Sequence, residues 1–129
     1  MRYLIDSFAW MEYFIGTTRG RRVREVVEEV TAECLVSAIN IAEIYSKSIK
    51  TDGTARAEER RRFITSRCAV VEVGEHIAVE AAKIDVEMKE KVKGWGLADS
   101  IVLATARNSG ARILTGDEHF KGSVDVELL

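Results

Sequence analysis

The sequence lacks proline, long apolar runs and all but two cysteines, and these absences exclude several classes of protein. Of its 129 residues, 47% are hydrophobic and 31% are charged, as in an ordinary globular chain rather than a collagen-like or disordered one. No apolar run approaches the roughly 18 residues that a membrane span needs, and an acid at position 6 argues against a signal peptide. Cys34 and Cys68 each lie in an apolar, strand-like run, which favours reduced core thiols over a disulfide. We therefore expect one domain over residues 1–129 in a reducing cytoplasm.

The charges are unevenly spread along the chain. Nineteen basic and 21 acidic side chains give a net charge of −2, which by itself predicts no nucleic-acid partner. Between Ile44 and Arg67, however, seven basic residues accompany three acids, so acids are in excess over the rest of the chain. The basic stretch is either a solvated helical face or a surface that contacts a polyanion.

Short apolar runs rich in Ile, Val and Leu alternate with longer stretches of helical periodicity. These runs show little polar alternation, as expected of strands covered on both faces. The predicted strands are Arg2–Asp6, Cys34–Ser37, Ala69–Val73, Arg112–Thr115 and a weaker Val124–Leu128. The helical stripes between them include Val23, Val26, Val27 and Val30. This alternation predicts right-handed βαβ units and a parallel sheet, with a ligand crevice outside the carboxyl ends of the strands.

Four acids follow predicted strands or open predicted helices. Asp6 ends the first strand, and Asp117 follows the fourth. Glu43 lies near the start of the helix Ala38–Ile49, and Asp99 opens a later helix. Each acid alone has an ordinary explanation as a helix cap, a first-turn acid or a turn residue.

The start of the Ala38–Ile49 helix decides what Glu43 does. If Asn40 is the cap, Glu43 completes a capping box three residues later. If the helix starts at Ser37, Glu43 falls in the second turn, where capping does not explain it.

Taken together, acids that converge at one edge of a sheet would repel each other unless they were protonated or neutralised. Hard oxygen ligands suit Mg²⁺ or Mn²⁺. Two bound ions would change the net charge from −2 to +2, which makes a polyanionic substrate plausible.

Four motifs in order carry a resemblance to a known family. The stretches YLIDS, SAINIAEIYSKS, GLADSIVLATA and ILTGDEHF contain, in turn, Asp6, Glu43, Asp99 and Asp117. Together they resemble the PIN-domain family, and in particular the VapC-type toxins of prokaryotic toxin–antitoxin pairs. The resemblance covers nearly the whole chain.

The resemblance implies a fold, an activity and partners. The fold would be α/β, a Rossmann-like three-layer α/β/α domain around a central parallel sheet of four or five strands. The activity would be that of a metal-dependent ribonuclease whose acidic quartet holds Mg²⁺ or Mn²⁺. It also implies a homodimer that is blocked by a cognate VapB-type antitoxin.

The same resemblance implies which residues support the four acids, and it shows one position where this chain departs from the family pattern. Thr115 would support the last acid of the quartet. Many relatives have a small polar residue two positions after the first acid, where this chain has Phe8, so Ser7 is left as the only hydroxyl beside Asp6. Glu118, a fifth acid next to the quartet, is either an auxiliary ligand or a solvated side chain, and the solvated interpretation is favoured.

The sequence thus predicts metal-assisted hydrolysis of RNA, with a catalytically silent PIN-like RNA-binding or protein-interaction module as the alternative. His76 and His119 are expected to be surface or cap residues without a catalytic role. The aromatic side chains Trp10, Tyr13 and Phe14 of the first helix are expected to pack in the core or an interface rather than stack on bases. The predicted contacts to the RNA backbone are Lys47, Lys50, Arg60, Arg61 and Arg62.

Overall fold

The computed structural model describes residues 1–129 and contains one five-stranded sheet whose strands are all parallel. The strands are β1 (Arg2–Ile5), β2 (Glu33–Ser37), β3 (Ala69–Val71), β4 (Arg112–Thr115) and β5 (Val126–Leu128). Their order across the sheet is β3-β2-β1-β4-β5. The predicted parallel sheet is confirmed, including its weak fifth strand.

Six α-helices connect the strands. They are α1 (Ser7–Ile15), α2 (Gly20–Glu28), α3 (Ala38–Asp52), α4 (Thr54–Arg67), α5 (Glu75–Lys91) and α6 (Leu97–Ser109). Helix α6 ends at Gly110, whose φ of 62° lies in the left-handed region that favours glycine. The predicted stripe of α2 is wrong at Val30, which lies beyond the end of the helix and is 96% exposed.

The two faces of the sheet are covered by different sets of helices. Successive strand residues point to opposite faces, and so Leu4 and Ile5, both fully buried, belong to different apolar clusters. The Ile5 cluster includes residues of α1, α2, α3 and α4, whereas the Leu4 cluster includes residues of α5 and α6. The architecture is therefore the expected three-layer α/β/α sandwich. The edge strand β3 is the exception, because Ala69 and Val70 are exposed rather than covered on both faces.

Three aromatic side chains of α1, Trp10, Tyr13 and Phe14, pack in or against the core, as predicted. Trp10 is fully buried and stacks on Phe14 with ring centroids 5.6 Å apart. Tyr13 stacks on Phe63 of α4 at 5.6 Å. Cys34 and Cys68 are buried free thiols. None of the helices combines the length and the apolar character that crossing a bilayer requires.

The strand order places a crevice between β1 and β4. From β1 the chain builds β2 and β3 on one side of the sheet and β4 and β5 on the other. Ligands of open α/β sheets bind where the order reverses, outside the carboxyl ends of the strands. Asp6 directly follows β1 and Asp117 lies two residues beyond β4, so both acids are at this point.

Candidate metal centre

All four predicted acids line one cavity of ≈ 210 Å³ at the carboxyl edge of the sheet. Asp6 comes from the end of β1, Glu43 from α3, Asp99 from the first turn of α6, and Asp117 from the loop after β4. Lys47, one turn after Glu43 on α3, also lines the cavity. The fold thus brings together four acids that are up to 111 positions apart in the sequence.

Asp6 is buried and held by two neutral donors. It occupies the position before α1 but makes no capping hydrogen bond, so the cap interpretation is wrong. Its side chain accepts a hydrogen bond from Asn40 Nδ2 at Oδ1, 2.9 Å away, and one from Thr115 Oγ at Oδ2, 2.8 Å away. Because the residue is only 5% exposed, these contacts hold the carboxylate in a single place.

Burial raises the pKa of Asp6 from its ordinary value of 3.8 to about 6. The negative charges of Glu43 and Asp117 raise this pKa further, while the hydrogen bond from Thr115 lowers it. The charged form of Asp6 is therefore costly in this environment. A cation in the cavity would remove that cost.

Glu43 lies in the second turn of α3. The helix begins at Ala38, and Ser37 is its cap, with Ser37 Oγ accepting a hydrogen bond from the backbone N of Ile39 at 3.2 Å. The alternative in which Asn40 caps the helix is wrong.

The side chain of Glu43 is oriented by two polar neighbours. Glu43 Oε1 accepts hydrogen bonds from Ser7 Oγ at 3.0 Å and from Asn40 Nδ2 at 3.3 Å. Ser7 thus contacts the quartet acid from α3, and Asn40 bridges that acid to Asp6.

Asp99 and Asp117 are held by backbone donors. Asp99 is the third residue of α6, and its Oδ2 accepts the backbone N–H of Gly96 at 3.0 Å, so the capping interpretation of Asp99 is correct. Asp117 Oδ1 accepts the backbone N–H of His119 at 2.9 Å, and Asp117 N donates to Thr115 Oγ at 3.0 Å. Thr115 therefore contacts both Asp6 and Asp117.

The donor set fits a divalent cation. In each of Glu43, Asp99 and Asp117 the protein hydrogen bonds reach only one carboxylate oxygen, so the other oxygen is available to a ligand. No Lys or Arg forms a salt bridge with any quartet acid. Carboxylate oxygens around an uncompensated negative charge are the ligands that Mg²⁺ and Mn²⁺ take in proteins.

Sequence reasoning missed two residues of this site. Asn40 is fully buried, and its Oδ1 has no hydrogen-bond partner. Its position three residues before Glu43, on the same helix face, was the available signal. His119, expected to be a surface or cap residue without a catalytic role, places its Nδ1 3.1 Å from Asp99 Oδ2. His76 is exposed in the first turn of α5, as expected.

Phe8, the departure from the family pattern, packs on the backbone of Gly116. A Cβ at Gly116 would overlap the Phe8 ring, so the ring fits only because that residue is glycine. Phe8 also lines the cavity. Glu118 is exposed and does not line it, as the solvated interpretation requires.

The predicted RNA-contacting residues separate into accessible and inaccessible ones. Lys47 and Lys50 are exposed on α3, but only Lys47 lines the cavity. On α4, Arg62 is exposed and Arg61 is paired with Glu58.

The prediction for Arg60 is wrong. Arg60 is 8% exposed, and its guanidinium is bound to Asp52 at 3.1 Å and to Ser48 Oγ at 3.0 Å. It joins α3 to α4 and is not available to phosphate.

Fold and site together define a Rossmann-like α/β/α protein with an acidic crevice at the point where the strand order reverses. The profile of the PIN domain matches residues 3–122, and the chain therefore belongs to the PIN-domain family. No curated protein sequence matches it significantly.

Several solved structures share the fold. A chain of a toxin–antitoxin complex from Klebsiella pneumoniae is 23% identical, with a TM-score of 0.76 over 97% of this chain and 95% of that chain. VapC20 from Mycobacterium tuberculosis, described as a Sarcin-Ricin loop cleaving toxin, is 17% identical, with a TM-score of 0.80 over 98% of both chains. A chain of VapBC2 from Rickettsia felis, bound to a DNA fragment from its promoter, is 14% identical, with a TM-score of 0.77 over 100% of this chain and 98% of that chain.

Proposed function

We propose that the protein is a metal-dependent endoribonuclease of the VapC toxin type, which hydrolyses RNA phosphodiester bonds with Mg²⁺ or Mn²⁺. The observation that carries this proposal is the convergence of Asp6, Glu43, Asp99 and Asp117 on one cavity. Membership of the PIN-domain family and the fold shared with a toxin that cleaves the Sarcin-Ricin loop support it.

The four acids would divide the work of binding and positioning. Asp6, Asp99 and Asp117 would hold the ion, directly or through water. Glu43 Oε2, which has no protein hydrogen bond, would complete the shell or orient the attacking water. A bound Mg²⁺ or Mn²⁺ lowers the pKa of water and stabilises charge on the attacking and leaving oxygens. Ser7, Asn40 and Thr115 would keep the carboxylates in place.

The RNA backbone would meet the cavity at Lys47. Its ammonium is exposed at the cavity wall one helical turn from Glu43. Lys50 and Arg62, both exposed, would extend the contact along α3 and α4. Contacts of this kind are salt-dependent and largely independent of sequence.

A cognate VapB-type antitoxin and a homodimer are part of the same proposal. The structures that share this fold include toxin–antitoxin complexes from Klebsiella pneumoniae and Rickettsia felis. A small upstream reading frame encoding a DNA-binding protein, whose product copurifies with this chain, is the expected finding. A neighbouring frame of another kind would speak against the toxin assignment and leave the ribonuclease assignment open to its own test.

The nuclease activity is tested with Asp99→Asn and a matched control, Glu118→Gln. Both changes remove one carboxylate, but only Asp99 lines the cavity. We expect cleavage of an end-labelled RNA by the parent and the Glu118→Gln protein in Mg²⁺, and none by Asp99→Asn or after addition of EDTA. Mapping the fragment ends would also identify the cleavage site.

Two results would contradict the proposal. One is full Mg²⁺-dependent cleavage by Asp99→Asn. The other is a Mg²⁺ titration that neither stabilises the parent protein nor shifts NMR signals near Asp6, which would favour the silent-module alternative.

A further inference from the structure

His119 lies beside the four acids and offers an imidazole nitrogen as a metal ligand, whereas the acids offer carboxylate oxygens. Its Nδ1 lies 3.1 Å from Asp99 Oδ2 and 3.5 Å from Asp117 Oδ1. The two acids come from different elements, α6 and the loop after β4, so the ring bridges them. One ligand atom from each of the three residues lies within 4.8 Å of the others.

The ring is held in place by its surroundings. The backbone N–H of His119 is bound to Asp117 Oδ1, and the next residue, Phe120, is fully buried with its ring centroid 5.3 Å from that of Trp95. On the other side, a Cβ at Gly94 would lie 3.1 Å from Nε2. The imidazole is thus confined between Gly94 and the two acids, with Nδ1 toward the acids.

The spacing suits neighbouring ligands of one ion. Ligand atoms about 2.1 Å from an octahedral ion are about 3 Å apart when they are adjacent, which is close to the distances from Nδ1 to Asp99 Oδ2 and Asp117 Oδ1. Each of these two oxygens accepts one backbone N–H and keeps a second lone pair for an ion. Imidazole nitrogen adds affinity for first-row transition ions, whereas Mg²⁺ favours oxygen ligands. A nitrogen at this point therefore changes which divalent ion the site prefers.

The geometry points to His119 Nδ1 as a ligand that, together with Asp99 and Asp117, gives the site a preference for Mn²⁺ and Co²⁺ over Mg²⁺. This inference rests on the proposed function, because it concerns the ion that the acidic quartet would hold. The proposed function requires a divalent cation, and this inference adds which divalent cation the site prefers.

The test compares ion affinities of the parent, His119→Asn and a control, His76→Asn. Mn²⁺, Co²⁺ and Mg²⁺ are titrated separately by calorimetry, with no RNA present. We expect His119→Asn to weaken Mn²⁺ and Co²⁺ binding about tenfold or more and Mg²⁺ binding less than about threefold. The exposed His76 should change none of them. His119→Asp, which supplies an oxygen instead, should move the preference toward Mg²⁺.

A spectroscopic measurement separates a ligand from a residue that only orients Asp99. Pulsed EPR of bound Mn²⁺ should show coupling to an imidazole nitrogen in the parent and in His76→Asn, but not in His119→Asn. The unfolding midpoint of each ion-free variant shows that the change is local.

The possible failures can be told apart. If the parent binds the ions but shows no nitrogen coupling, or His119→Asn weakens all three ions equally, the ligand role of His119 is wrong and the nuclease proposal stands. If the parent binds no divalent ion at all, both proposals are wrong.

Discussion

The floor and the rim of the acidic cavity are built differently. We call floor the lining residue Asp6 and its two hydrogen-bond donors, Asn40 and Thr115, which are all buried, with exposed fractions of 5%, 0% and 0%. We call rim the lining acids Glu43, Asp99 and Asp117, together with His119 beside the last two, and these residues remain partly open to solvent. The floor offers one carboxylate held by an amide and a hydroxyl, whereas the rim offers three carboxylates and an imidazole.

This difference shows how the fold keeps a negative charge available. A salt bridge to Asp6 would neutralise the charge that a metal ion needs. Asn40 and Thr115 instead fix the position of the carboxylate without neutralising it. Ionising the buried Asp6 therefore costs the folded protein free energy, and this cost appears as the raised pKa. A cation in the cavity would remove it. Changes at the floor should therefore alter stability and activity together, whereas changes at the rim should alter mainly ligand binding.

The largest effect is expected from Asp6→Asn. Removing the floor carboxylate should lower RNA cleavage about 10³-fold or more, since charge stabilisation at the reacting phosphate is a major part of catalysis. Without metal at pH 8, the free energy of unfolding of the variant should be roughly 1–3 kcal/mol larger than that of the parent, because the variant has no buried acid to ionise. The variant should therefore be more stable than the parent. Cleavage assays and urea denaturation measure the two quantities. If the variant were less stable than the parent and fully active, the Asp6 carboxylate would be neither destabilising nor needed for cleavage, and the distinction between floor and rim would be wrong.

Asn40→Asp tests the same part of the site by changing the residue that donates a hydrogen bond to Asp6. The change removes the amide that bridges Asp6 and Glu43 and places an additional carboxylate in a fully buried position. We expect the free energy of unfolding to fall by roughly 3–5 kcal/mol at pH 8 without metal. Asn108→Asp, at an exposed position near the end of α6, is the matched control and should change it by less than about 1 kcal/mol. Equal effects of the two changes would show that Asn40 has no special place in the site.

The pH dependence of stability isolates the contribution of Asp6. Because its pKa is raised to about 6 in the folded state, folded Asp6 holds its proton over a range where the unfolded side chain has lost it. Stability from this group is thus complete below about pH 4 and is lost as the pH rises through about 6, by roughly 3 kcal/mol in total.

The measurement is the difference between the parent and Asp6→Asn in urea denaturation across pH 4–8, without metal. Other acids act in the opposite direction, as the hydrogen bond from Arg61 lowers the pKa of Glu58 to about 2. They cancel in the difference, however, because both proteins contain them. Excess Mg²⁺ should remove the pH-dependent loss, and a flat difference curve would mean that Asp6 is not destabilising when charged.

Much of the fold was predictable because local pattern and global arrangement agree. Apolar runs without alternation mark β1, β2 and β4, and those strands are buried on both faces. Asp6, Asp99 and Asp117 could be found because each follows a strand or opens a helix, and Glu43 could be found from its place in the family-like motif. Val30 was mispredicted because periodicity does not show where a helix ends.

Residues whose role depends on tertiary packing were harder to predict from the chain alone. In the sequence, Asn40 fits the pattern of a helix cap, and only the structure shows that the helix begins at Ala38. The role of His119 depends on the packing of Phe120 and Gly94, which are 26 positions apart. Arg60 belongs by sequence to a basic run, and only the packing of α3 against α4 shows that it is buried.

The smallest effect concerns the outer edge of the rim, at Lys47. Its removal should weaken RNA binding about three- to tenfold and reduce the slope of log Kd against log salt by about 0.7, the value for one contact to a single-stranded phosphate. Binding is measured by fluorescence anisotropy with an Asp99→Asn background, so that the RNA is not cut. Lys50→Ala is the comparison and should weaken binding less than Lys47→Ala, because this lysine is also exposed on α3 but does not line the cavity. If Lys50→Ala weakened binding more than Lys47→Ala, the RNA would approach along the outer surface of α3, and the rim would not be the point where the backbone meets the site.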